Sequence, residues 1–178
     1  MWQLVHSAMK PEQASCILRE GIKSRNMTGV EGNYDCNPDY TYLQVVPHVS
    51  LSSWGNYKFL LDMNWVKTHS SQFLARTTWD LSYLIDEGYL NARQQLKRFL
   101  HEYKIREFGA MDVTLPIVEG QILTREPIPL EGLASLVIMD WLSDDRIKEL
   151  TADIPTHIKL EIVGGLPRIV RKAAKSTA

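Results

Sequence analysis

The sequence predicts a single α+β domain, and three observations carry that prediction. Apolar strand patterns lie at both ends of the chain, in "WQLV" and in "THIKLEIV". Helical patterns cluster after the first strand and again in the middle. No βαβ rhythm repeats, which argues against a doubly wound parallel sheet. A chain of 178 residues is long enough for one well-cored domain and short for two.

Residues 2–5 read as a short strand ending on His6 and Ser7. In "KPEQASCILREGI", Pro11 suits the first helical position and Gly21 the C-terminal end, with Ala14, Ile17, Leu18 and Gly21 on one face. Residues 23–39 are rich in Gly, Asn and Asp and read as a long surface loop, a kind of segment that often carries function. "YTYLQVVPHVSLSS" holds one or two strands around Pro47. The middle of the chain yields one clear element, the helix "NARQQLKRFLHEYK". Asn91 is its expected cap with Gln94 in the reciprocal position, and Leu96, Phe99, Leu100 and Tyr103 form its apolar stripe. Strands resume at "VTLPIVEGQILTRE" and "LASLVIMD". Ser143, Asp144 and Asp145 open a short helix to about Thr151, and "THIKLEIV" is the last strand. Residues 166–178 form a basic tail expected to fray.

Composition removes several classes of function. A hydrophobic fraction of 44% and a charged fraction of 23% are ordinary for a globular protein, and a net charge of −1 leaves any nucleic-acid surface local. Two cysteines, Cys16 and Cys36, make no disulfide framework and no zinc pair. His6, His48, His69, His101 and His157 show no metal-binding spacing, and neither "VGG" nor "EGNYDCN" has the glycine pattern of a phosphate loop. The start "MWQLVHSAMK" lacks the features of a signal peptide, and no run reaches the ~18 apolar residues of a membrane span. The expectation is a cytoplasmic protein of bacterial type with no membrane partner and no metal.

Three polar clusters stand at strand ends. They are His6-Ser7, then Ser50 and Ser52 of "HVSLSSW", expected to alternate onto one face, and finally Glu119-Gly120-Gln121. By the same alternation Glu119 and Gln121 share a face, with a glycine between them for close backbone approach. Each cluster alone has a structural reading as a satisfied histidine, a serine turn or a solvated strand start. Drawn from the beginning, middle and end of the chain, they are what a cleft between two sheets needs.

Their order resembles the ADP-ribosyltransferase family. "LVHSAMKPEQASCILREGI" is similar to its first strand with the helix behind it, "VSLSS" to its serine element, and "VEGQILTREPIPLEGL" to its E-x-E strand. The apolar run and "PIP" turn also resemble nucleic-acid-modifying toxins of the DarT type. The likeness touches three short segments. It implies a split β-sandwich with flanking helices and NAD⁺ as co-substrate. On this resemblance His6 holds the nicotinamide ribose or amide and the backbone near Ser7 the nicotinamide, Ser50 and Ser52 orient the site, and Glu119 positions or deprotonates the acceptor. Gln121 occupies the place of the second, catalytic glutamate. An introduced Glu→Gln exchange, a natural non-catalytic binder and a shifted register with Glu119 at work all account for it, and the first is preferred.

The resemblance further implies a mono-ADP-ribosyltransferase toxin, of toxin–antitoxin or phage-defence type, acting on RNA or DNA. Protein arginine is the alternative acceptor, and a binding module without chemistry the alternative class. Arg93, Lys97 and Lys104 on the central helix, and Arg168, Arg171, Lys172 and Lys175 in the tail, are candidate phosphate contacts or simply solvated charge. Trp54, Trp65, Trp79 and Trp141 read as core or interface anchors, the latter for an antitoxin or chaperone.

Overall fold

Strand β1 (Gln3–Ala8) runs directly into helix α1 (Pro11–Glu20), with Pro11 at the helix start, where its missing N–H costs nothing. Gly21 ends α1 with φ of 77°, and a Cβ added there would lie 2.3 Å from the carbonyl oxygen of Ile128, so only glycine allows this backbone approach. The next residue exploits it: Ile22 and Ile128 exchange two N–H···O bonds of 2.8 Å. The computed structural model describes residues 2–29, 37–49, 52, 55–75, 89–107, 122–152 and 154–163, and for residues 89–93 the backbone alone.

A single turn of helix, α2 (Arg25–Thr28), interrupts the expected loop. β2 (Thr41–Val46) is one strand that stops at Pro47, which has no N–H to continue a ladder. β3 (Tyr57–Leu61) and α3 (Met63–Thr68) follow, with the Asp62 carboxylate accepting from Trp65 N–H at 2.8 Å as a helix cap. β4 (Phe73–Ala75) is short. α4 (Tyr89–Tyr103) buries the expected stripe of Leu96, Phe99, Leu100 and Tyr103. It begins before Asn91, however, so that residue lies inside the helix and does not cap it. β5 (Arg106–Glu107), β6 (Ile122–Thr124) and β7 (Leu133–Ile138) precede α5 (Asp144–Thr151), whose Ser143 hydroxyl accepts from Arg146 N–H at 3.3 Å as expected. β8 (Lys159–Ile162) closes the described chain. Among the described residues no helix is long and apolar enough to cross a membrane.

The strands form an eight-stranded mixed sheet in the order β5-β4-β6-β2-β1-β3-β7-β8. Neighbours run antiparallel except for the parallel pairs β4–β5 and β7–β8. β2 changes partner midway along its length. Gln44, Val45 and Val46 pair with β1, while Thr41, Tyr42 and Leu43 pair with β6. One strand therefore joins two half-sheets.

The two faces of the sheet differ. Strand alternation puts Leu4, Ala8, Leu43, Val45, Phe59, Ile122, Leu136 and Ile138 on one face, in the main core. Ala14, Ile17 and Leu18 of α1, Val66 of α3, the α4 stripe and Leu150 of α5 all belong to that core. The opposite face carries two smaller clusters, Val5, Val46, Leu60 and Val137 in one and Tyr40 and Leu123 in the other. Among the described residues no helix contributes to either.

Candidate functional site at the fork of the sheet

β1 keeps its partner on one side and loses it on the other. Against β3 it pairs to its end, through His6↔Phe59, Ser7↔Lys58 and Ala8↔Tyr57. Against β2 it stops at Val5↔Gln44, because the earlier part of β2 has turned to β6. The sheet forks between the end of β1 and the beginning of β2, and His6 stands at that fork. Its Nδ1 lies 3.1 Å from the carbonyl oxygen of Tyr42. A carbonyl can only accept, so Nδ1 carries the proton and donates, and Nε2 of the neutral ring keeps a lone pair that no described residue engages. Burial lowers the His6 pKa below its ordinary 6.5 and outweighs the Tyr42 bond, which raises it. At neutral pH the ring is uncharged and can accept a hydrogen bond.

Ser7 faces the other way and enters a polar network. Its Oγ is 3.2 Å from the Oγ of Ser52, a residue of the β2–β3 connection. The Ser52 hydroxyl donates to Gln44 Oε1 at 2.7 Å. Lys58 Nζ donates to Ser52 carbonyl oxygen at 2.7 Å and approaches Ser52 Oγ at 3.2 Å. Lys58 is only 2% exposed, Ser52 6% and Gln44 8%, whereas Ser7 is half-buried. Loss of hydration lowers the Lys58 pKa from 10.5 to about 8, because the charged amine is costly between apolar neighbours. The network spans β1, β2 and β3, the strands nearest the fork.

His6 and Ser7 are thus consecutive but serve opposite faces, and Ser52 is held by three polar partners. Ser52 lies beyond the end of β2, so the expected strand alternation does not apply to it. Ser50, Glu119 and Gln121 lie outside the described residues, as does the side chain of Arg93. β6 starts at the residue after Gln121, and its first residue, Ile122, pairs with Leu43 beside the fork. Lys97 is exposed on α4 and does not line the hollow of about 240 Å³ bounded by Trp2, Gln95, Arg98, Phe99, Glu102 and Tyr103. Trp65 is partly buried and stacks on His69 at 4.2 Å, Trp141 is exposed, and Trp54 and Trp79 lie outside the described residues.

Sequence reasoning missed Gln44 and Lys58. Each left a signal, since one is an amide inside "YLQVV" and the other a cation inside "YKFLL". A polar residue in so apolar a run needs a partner when buried. No family model, curated protein or solved structure matches the chain.

Proposed function

We propose that the chain is an NAD⁺-dependent mono-ADP-ribosyltransferase with a split-sheet fold of that type, working as a cytoplasmic toxin or phage-defence effector on RNA or DNA. The observation that carries this reading is the fork. A neutral imidazole whose Nε2 has no partner among the described residues stands where two half-sheets part, and that lone pair suits a ribose hydroxyl or the nicotinamide amide.

Cleavage of the nicotinamide–ribose bond places positive charge on the anomeric carbon. A carboxylate under that sugar stabilises the charge, and an amide of the same shape does not. Gln121 in the catalytic position keeps the shape without the charge, with a rate loss on the order of 10²–10³. Glu119 orients or deprotonates the acceptor. Ser7 and Ser52 set the end of β1, and Ser50 belongs to the same serine element. Arg93 and Lys97 would meet acceptor phosphates along α4. A restraining antitoxin or chaperone would find an anchor in Trp141, which is 74% exposed.

The test compares this chain with its Gln121→Glu variant, both made cell-free, with labelled NAD⁺ and separate pools of RNA, DNA and protein. Label entering one nucleic-acid pool with the glutamate variant alone supports the reading and identifies the acceptor. Label in protein moves the acceptor to arginine. No label, and no NAD⁺ binding by either form, overturns the proposal.

A further inference from the structure

We propose that Ser7, Ser52 and Lys58 form a serine–serine–lysine relay, in which Ser7 attacks an ester carbonyl and its proton passes through Ser52 to Lys58. The proposal is independent of NAD⁺ binding and uses the face of the sheet opposite His6. It rests on three geometric facts. The three polar atoms form a continuous chain, with 3.2 Å between Ser7 Oγ and Ser52 Oγ and 3.2 Å between Ser52 Oγ and Lys58 Nζ. Burial deepens along that chain, from the half-buried Ser7 to Ser52 at 6% and Lys58 at 2% exposure. Its two ends sit directly opposite each other on paired strands, Ser7↔Lys58, so the sheet fixes their separation.

A lysine serves as a base only when neutral, and this site favours the neutral amine. Val5, Val46, Leu60 and Val137 form the apolar cluster on the same face. The residues opposite Lys58 on its two neighbouring strands are Ser7 and Val137, with Gln44 beyond β1, and none of the three ionises near neutrality; the carboxylate in register on this face is Glu161 of β8, beyond Val137 and two strands away. The Lys58 pKa of about 8 leaves a useful neutral fraction in mildly alkaline solution. While Lys58 is charged, Nζ can only donate, and the Ser52 hydroxyl gives its proton to Gln44. Once Nζ has a lone pair, the same hydroxyl can turn to it and take up the proton of Ser7 in exchange. With an activated ester, the Ser7 Oγ–carbon bond forms and the ester C–O bond breaks. The proton received by Lys58 returns to the leaving alkoxide, and water later releases the acid.

The test uses an alkyl fluorophosphonate on the full chain, where Ser7 displaces fluoride and the proton goes to Lys58. The expected result is one phosphonyl group per chain, located on Ser7 by mass spectrometry, with a rate that rises with pH about a midpoint near 8. Ser7→Ala loses the adduct. Ser52→Ala and Lys58→Met slow labelling by about 100-fold or more. Lys58→Arg restores a cation that cannot deprotonate, so it labels as slowly as Lys58→Met if Lys58 is the base. Labelling of Lys58→Arg at the unmodified rate would show that the lysine merely holds Ser52, and would overturn the relay. So would the absence of a Ser7 adduct up to pH 9.5 in a chain that circular dichroism shows to be folded. Should the Lys58 variants fail to fold, Ser52→Ala and the pH profile of the unmodified chain decide.

Discussion

The helix-covered face of the sheet and its opposite face are built on different terms. On the first, four helices add apolar side chains to one continuous core, and the polar side chains near the fork are few, His6 on β1 and Thr41 on β2 among them. On the second, small apolar clusters flank a buried amine, an amide and two hydroxyls that hydrogen-bond to one another. The first face holds the fold through area removed from water, and its loss scales with volume. The second holds three strands through a few directional bonds, whose worth depends on protonation.

The comparison can be broken most directly by truncating each face. Phe59, fully buried at the centre of the core, should cost about 3–5 kcal/mol on change to alanine, measured by urea unfolding. Val137→Ala on the other face should cost clearly less, about 1–2 kcal/mol by the same scale. Equal losses would mean that the small cluster is as cooperative with the fold as the large one.

Next in size is a pH effect belonging to the polar face. The folded-state pKa of Lys58 is about 8, depressed from 10.5, so between those values the unfolded chain binds a proton that the folded chain does not. Stability should therefore rise as pH climbs from 8 and fall back as pH drops through 8. Tyr57, pushed up to about 12 from 10.0 by burial and by its bond to Asp140, works in the opposite direction above pH 10, so pH 8–10 is the clean window. Urea midpoints across that window should show the rise in the unmodified chain and not in Lys58→Met.

A weaker effect of matching sign belongs to His6. Its depressed pKa gives a contribution that is complete above 6.5 and is lost as pH falls further, when the unfolded chain takes up the proton first. His6→Gln should flatten that acid limb. The smallest expected change is a gain. Among the described residues the hydroxyl of Thr41 is buried without a hydrogen-bond partner where β2 meets β6, so Thr41→Val should be neutral to stabilising by about 1 kcal/mol. A loss of that size would point to a bonded role for the hydroxyl.

Much of the helix-covered face was legible in the sequence, because 3.6-residue periodicity and end signals are local. Pro11 and Gly21 bracket α1, Ser143 caps α5, and the α4 stripe is buried as read. The start of α4 was misread because Asn91 offers a cap chemistry that the helix passes over. β3 escaped because all five of its residues are buried, leaving a run with no alternation to detect. At the candidate site His6 and Ser7 were legible as polar residues closing a strand. Their division between two faces required the register with β3. Gln44 and Lys58 were visible as anomalies, but their meeting at Ser52 depends on three strands and a connection, which no local window contains.

The exchange of partners along β2 also bears on synthesis. Gln44–Val46 can pair with β1 as soon as residues 3–46 have left the ribosome, and β3 can join soon after. Thr41–Leu43 must wait for Ile122–Thr124. At about 5–20 residues per second that wait lasts seconds, during which half of a central strand presents bare N–H and C=O groups beside Tyr42 and Leu43. A nascent chain stalled before Ile122 would carry an open edge ready to pair with its neighbours on a polysome, so slow translation of this stretch should favour aggregation over yield.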